Sequence, residues 1–138
     1  MASEGPFSTF VGIDRTLTLA RGAGMTLLAG GVAQTPALTT HALTTASDPL
    51  AFPGDVPVVS RLTDGPILDL NVMTRRGRFA HRVRRLDPPP ATLRGDAAVT
   101  LLACLNGAAS LTCGEETARL GPLDLADISG ETVALAAE

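Results

Sequence analysis

Asp69, Asn71, Met73 and Arg75 stand at every second position of the stretch LDLNVMTRR, residues 68–76. In an extended strand that period puts all four side chains on one face and Leu68, Leu70 and Val72 on the other. An acid, an amide and a guanidinium in line can take a small carboxylate. The guanidinium donates parallel N–H bonds, the amide donates or accepts, and the acid orients a neighbouring arginine. Arg15, beside the alternating run Thr16-Leu17-Thr18-Leu19, is a second cation able to clamp an anion. Paired with Asp14 it could equally be a surface ion pair, worth about 0–1 kcal/mol. The candidate ligand-binding residues are therefore Arg15, Asp69, Asn71, Met73 and Arg75.

The elements that must hold them are short. The stretch Phe52 to Arg76 opens on the turn Pro53-Gly54-Asp55, runs through Val56, Val58, Val59 and Leu62, and turns again at Asp64-Gly65-Pro66. Turn residues on both sides of β-branched runs predict two strands joined as a tight hairpin. Upstream, Gly22-Ala23-Gly24 separates the Thr16–Leu19 run from Met25–Leu28, and Gly30-Gly31 follows, the signature of a meander. The Thr-rich tract predicts a strand over Ala37 to Leu43, because β-branched Thr disfavours helix. His41 within it is expected to be a solvated strand residue. Arg75, Arg76, Arg78, Arg82, Arg84 and Arg85 crowd the next segment. Their expected role is a solvated edge strand whose charges block edge-to-edge pairing. A strand facing an anion or an acidic subunit is the alternative.

Asp87-Pro88-Pro89-Pro90 marks a boundary, since prolines cannot join a sheet ladder. It divides the chain into a first β-unit (1–86), a Pro-rich linker (87–90) and a second, smaller β-unit (91–138). TLTLARGAGMTLLAGG (16–31) parallels TLLACLNGAASLTCGE (100–115), and PLAFPGDVPVVS (49–60) parallels LGPLDLADISG (120–130). Such repetition points to two copies of one β-unit.

Composition agrees. The chain has 138 residues, 45% of them hydrophobic, with 14 Gly, 10 Pro, no Trp and no Tyr, which suits many short strands in a globular protein. All 11 cations are Arg. Residues 1–86 carry nine Arg against six Asp/Glu, a balance of +3. Residues 87–138 carry two against eight, giving −6 and the overall −3. A net acidic chain in which only Phe79 offers a stacking surface to the Arg-rich stretch is a poor nucleic-acid binder. No charged-then-apolar leader opens the chain and no apolar run approaches the ~18 residues of a membrane span, so no membrane partner and a cytoplasmic location with reduced thiols are expected. Cys104 and Cys113 lack the paired spacing of a zinc site and read as small apolar side chains in a core.

With these residues in view, the chain resembles the HutD/Ves family, bicupin proteins associated with histidine utilisation. GPFSTFVGIDRTLTL (5–19), PLAFPGDVPV (49–58) and LTDGPILDLNVMTRRGRF (62–79) carry the resemblance, which covers most of residues 5–86. It implies an all-β fold of two cupin-type jelly-roll barrels in tandem. Family members start with a Trp-Lys-Asn-Gly-Gly-Gly segment, and a chain without Trp or Lys is expected to be a short form with an incomplete first barrel. The family also commonly has Pro where this chain has Val11.

The expectation is a non-enzymatic HutD-like protein that binds a small anionic metabolite, a carboxylate of the N-formylglutamate or urocanate type, and modulates histidine utilisation. No cofactor and no metal are expected. A metal-dependent cupin enzyme is the alternative, but such sites gather two or three His with a carboxylate, and this chain offers only His41 and His81 without the His-x-His pairing. A β-barrel interaction module without a ligand, closing its open edge as a homodimer, is the other. Neither the serines nor the cysteines show a nucleophile constellation, and the glycine pairs lack the strand-to-helix context of a phosphate loop.

Overall fold

The computed structural model describes residues 5–30 and 39–138. Thirteen strands and no helix are present among them, and the chain divides into two compact units, Met1–Arg85 and Leu86–Glu138. The first unit holds β1 (Gly5–Pro6), β2 (Ile13–Arg21), β3 (Met25–Ala29), β4 (Thr39–Leu43), β5 (Leu50–Pro53), β6 (Val58–Leu62) and β7 (Leu68–Arg75). The second holds β8 (Thr92–Arg94), β9 (Leu101–Ala103), β10 (Ala109–Cys113), β11 (Glu116–Leu120), β12 (Leu125–Asp127) and β13 (Thr132–Ala137). Ala37 and Gly31 lie outside the described residues.

In the first unit β1-β6-β3-β4 form one antiparallel sheet and β5-β2-β7 a second. Leu17 and Leu19 of the second sheet join Met25, Leu27, Leu43 and Val58 of the first, with Ile67, in a single buried cluster. The two sheets therefore face one another across a common core, as sheets with one apolar face each must. The second unit repeats the plan. Its sheets run β8-β13-β10-β11 and β12-β9, around a core of Leu111, Leu120, Ile128, Val133 and Leu135. Taken in chain order, β1 to β6 and β8 to β13 occupy equivalent places, so the repetition visible in the sequence is a repetition of topology. β7 has no counterpart among the second unit's strands. The fold is all-β and cupin-like.

The predicted hairpin and meander are corrected. β6 and β7, on either side of the Asp64-Gly65-Pro66 turn, lie in different sheets, as do β2 and β3 around Gly22-Ala23-Gly24. These turns carry the chain across the core instead of back along its neighbour. Pairing is decided by which partner completes the burial of an apolar face, and local turn residues do not encode that choice.

The Arg-rich segment is not an edge strand either. Beyond Arg75 it leaves the ladder and lies against the outer face of the β5-β2-β7 sheet, where the His81 ring hydrogen-bonds the Thr16 hydroxyl through Nε2 (2.9 Å) and the Thr74 hydroxyl through Nδ1 (2.6 Å). His81, Val83 and Arg85 are half-buried, while Arg82 and Arg84 stay exposed. Thr16 and Thr18 of that face are each only 5% exposed. One imidazole thus ties the arm to two strands at once. Truncating it leaves a buried hydroxyl unpaired, costing about 1–3 kcal/mol. His81→Ala is expected to lower the melting temperature and to speed tryptic cleavage at Arg78, Arg82 and Arg84. Unchanged cleavage rates would show that the arm is held elsewhere.

Candidate functional site

Strand register settles which candidate residues share a face. β2 pairs β7 with Ile13 opposite Arg75, Arg15 opposite Met73, Leu17 opposite Asn71 and Leu19 opposite Asp69. On its other side β2 pairs β5, with Arg15 opposite Phe52 and Leu17 opposite Leu50. Directly opposed residues of an antiparallel pair point the same way, and Leu17 and Leu19 point into the core. Arg15, Asp69, Asn71, Met73 and Arg75 therefore all belong to the inward face. Asp69 and Asn71 are half-buried, while Met73 and Arg75 are exposed toward the strand's end, so the row runs from the interior to the rim.

Arg15 occupies an unusual environment. It is 5% exposed, and its guanidinium carbon lies 5.1 Å from the ring centre of Phe7, 5.4 Å from that of Phe10 and 5.2 Å from that of Phe52. Three of the chain's four Phe thus surround one cation, within the reach of cation–π attraction. Nη1 donates to the Ser8 carbonyl at 3.2 Å, but the buried Nε has no partner. Burial pushes the guanidinium below its ordinary pKa, and the charge of Asp69 pulls it partly back. It remains a cation.

The chain before β2 is folded over this group. Phe10 N donates to the Gly54 carbonyl (2.8 Å) and Gly54 N to the Ile13 carbonyl (2.7 Å). A Cβ at position 54 would stand 2.9 Å from the Ile13 oxygen, 3.0 Å from the Phe10 oxygen and 3.3 Å from Arg15 Cδ. Only glycine lets these segments close this tightly.

Asn71 is the second unsatisfied group on the face: its Oδ1 is buried without a hydrogen-bond partner. Buried polar atoms are almost always paired, so two orphans on one inward face, a donor on Arg15 and an acceptor on Asn71, call for an explanation. Asp69 has interactions of its own.

Asp14 does not pair with Arg15. Alternation puts the two on opposite faces, and Asp14 instead receives Arg76 Nε at 2.8 Å. Arg76 Nη1 and Nη2 also reach Asp55 Oδ2 and Oδ1 at 2.9 and 3.1 Å, and Nη2 donates to the Ile13 carbonyl. One arginine thus fastens the start of β2, the end of β7 and the Gly54 turn. This anchor was not legible in sequence, where Arg75 and Arg76 differ only in parity.

The two histidines are not gathered. His81 lies on the outer face as described. His41 of β4 is paired with the buried Leu27 and is half-buried on the inward face of the other sheet, not the solvated residue expected. Ser60, 1% exposed, also shares that inward face and donates to the Gly5 carbonyl. Among the described residues no three His, Cys, Asp or Glu side chains come together as a metal site. Cys104 and Cys113 are free thiols packed at the edge of the second core. Cys113 donates to Glu131 Oε2, a bond that pushes its pKa up and keeps it a thiol. No helix among the described residues is long and apolar enough to cross a membrane.

The Arg76 bonds hold the Asp55 carboxyl down to about 2, from an ordinary 3.8. A depressed carboxylate stabilises the fold above its unfolded pKa, and that contribution is lost as pH falls through the folded value. Wild type should therefore lose stability between about pH 4 and 2 more steeply than Arg76→Gln. The gap between their melting temperatures, measured from pH 6 downward, should narrow through that window. A constant gap would deny the carboxylate its role.

Comparison with known proteins follows the same lines. The HutD family profile matches residues 1–138. Protein Ves of Cronobacter sakazakii (strain ATCC BAA-894) is 41% identical over 88 residues, 63% of this chain and 45% of that protein. An uncharacterized 21.2 kDa protein from the hutC 3′ region of Pseudomonas putida is 31% identical over 135 residues, 98% of this chain and 67% of that one. The match thus spans less than half the length of the Ves protein and two thirds of the P. putida protein. Among solved structures, the conserved protein of unknown function PA5104 from Pseudomonas aeruginosa PAO1 has a TM-score of 0.78 at 24% identity, covering 100% of this chain and 72% of that one. HutD from Pseudomonas fluorescens SBW25 has a TM-score of 0.54 at 24% identity, covering 100% and 76%. The fold, the full-length profile match and the P. putida relative agree: this chain belongs to the HutD family.

Proposed function

We propose that the first unit binds a small carboxylate of the N-formylglutamate or urocanate type without turning it over, and that occupancy modulates histidine utilisation. One observation carries this reading: a nearly buried guanidinium, held by three aromatic rings, keeps an N–H without a partner. Removing a cation from water is expensive unless its donors are used, and a carboxylate is the group whose geometry a guanidinium fork matches. Asp69 orients the cation electrostatically. Asn71 supplies a polar contact further along the same face, Met73 an apolar one, and Arg75 a second cation at the rim. Membership of the HutD family and the P. putida relative's position in the hutC 3′ region favour a metabolite of histidine breakdown. Binding without catalysis fits side chains that position and neutralise an anion but present no nucleophile beside a base.

Millimolar N-formylglutamate or urocanate should raise the melting temperature of the wild-type chain by a few degrees, by mass action on the folded state. Arg15→Met keeps the packing of the stem among Phe7, Phe10 and Phe52 but removes every donor. It should fold and show no ligand-induced rise, while Arg75→Ala should show a smaller one. A folded Arg15→Met chain that still responds to the acids, or a wild type that responds to none, would sink the proposal.

A further inference from the structure

The outward faces of the two units differ in an unexpected direction. β9 and β12 correspond to β2 and β5 and form a similar antiparallel pair. In the first unit the outward residues of β2 are polar, yet Thr16 and Thr18 are almost fully covered. In the second unit Leu102 and Ala126 oppose one another on the side packed against the core. Alternation therefore turns Leu101, Ala103, Leu125 and Asp127 outward. Leu101 is 54% exposed and Leu125 59%. Val99, beside Thr100, continues this row at one end of the ladder; at the other Leu123 donates its N–H to the Cys104 carbonyl. Both side chains are exposed. Single exposed leucines are ordinary, but four aliphatic side chains along one short ladder make a patch, and such patches mark contact surfaces.

Leu123 is a separate sign of the same kind. Its φ of 73° lies in the left-handed region. It is the third residue of the turn Gly121-Pro122-Leu123-Asp124, closed by Asp124 N donating to the Gly121 carbonyl at 3.1 Å. Glycine takes that position without strain. A leucine there is strained, and its exposed side chain recovers little by burial.

Charge says what fits the patch. Asp127 lies on it and Asp124 beside it, both exposed, in a segment (87–138) with eight acids against two Arg. The same chain carries the complement. On the arm beyond β7, Arg78, Arg82 and Arg84 are exposed and make no ion pair among the described residues. Phe79 stands among them, also exposed. A ring among guanidinia matches leucines among carboxylates.

We propose that the outward face of β9 and β12 docks a second copy of this chain, through residues 78–84 of that copy's arm. Phe79 packs on the leucines, while the arginines meet Asp124 and Asp127 and set the orientation. The contact joins unlike surfaces, and every copy offers one of each. It is independent of the carboxylate site in the first unit.

Sedimentation of the wild-type chain at tens of micromolar should show concentration-dependent association that weakens as salt is raised. Leu101→Thr combined with Leu125→Thr keeps strand-forming residues on an exposed face, so it should fold and associate roughly tenfold more weakly. Arg78→Ser combined with Arg82→Ser and Arg84→Ser should weaken association similarly. Mixed in equal amounts, the two variants should associate better than either alone, because each supplies the surface that the other lacks. Leu123→Gly should raise the melting temperature yet weaken association, two effects that a merely structural leucine would not combine. A wild type that stays monomeric overturns the inference, even if its arginines then bind single-stranded DNA. So does undiminished association of either multiple variant, or a mixture no more associated than its components.

Discussion

A cation withdrawn from water is the constraint around which the first unit is arranged. Arg15 sits on the inward face of β2, where its neighbours along the strand are the fully buried Leu17 and Leu19. A leucine in its place would extend the apolar core. Keeping a guanidinium there requires compensation, and the fold supplies it in layers. Three phenylalanine rings attract the cation, the Ser8 carbonyl accepts one donor, and the charge of Asp69 opposes desolvation. What the protein leaves unpaired is the Nε–H of that guanidinium.

The neighbouring architecture can be understood as what this arrangement demands. Phe7 and Phe10 come from the segment between β1 and β2, and Phe52 from β5, so the cage exists only if that segment folds back over the sheet. Gly54 permits the close approach and Arg76 fastens its flank, through Asp55 on the turn and Asp14 and Ile13 on β2. The anchoring arginine and the caged arginine are thus different residues with different jobs. Arg76 is exposed enough to exchange its partners with water, and its pairing is correspondingly sensitive to acid. Arg15 is shielded from both water and salt, so its interactions keep their strength.

The two units share one plan and differ at the site. Six strands of each occupy equivalent places, but β7, the strand bearing Asp69, Asn71, Met73 and Arg75, belongs to the first unit alone. The second unit's equivalent of β2 is β9, only three residues long and built from Leu101, Leu102 and Ala103. No charged residue takes the part of Arg15 there. Repetition of a fold does not repeat a function, since function depends on particular side chains set on the common frame.

Much of this was written locally. Alternation alone assigned Asp69, Asn71, Met73 and Arg75 to one face, and the turns Gly22-Ala23-Gly24 and Asp64-Gly65-Pro66 fall between successive strands of the first unit. Both signals need only a few residues, because side-chain period and turn dihedrals are properties of the backbone itself. The tertiary structure decided the rest. It sent β6 and β7 to different sheets, tied the His81 arm to Thr16 and Thr74, gave Asp14 to Arg76, and brought Phe7, Phe10 and Phe52 around Arg15. Each of those outcomes joins residues distant in the chain, and which distant surfaces meet is set by the burial of whole faces, a quantity no short stretch of sequence contains.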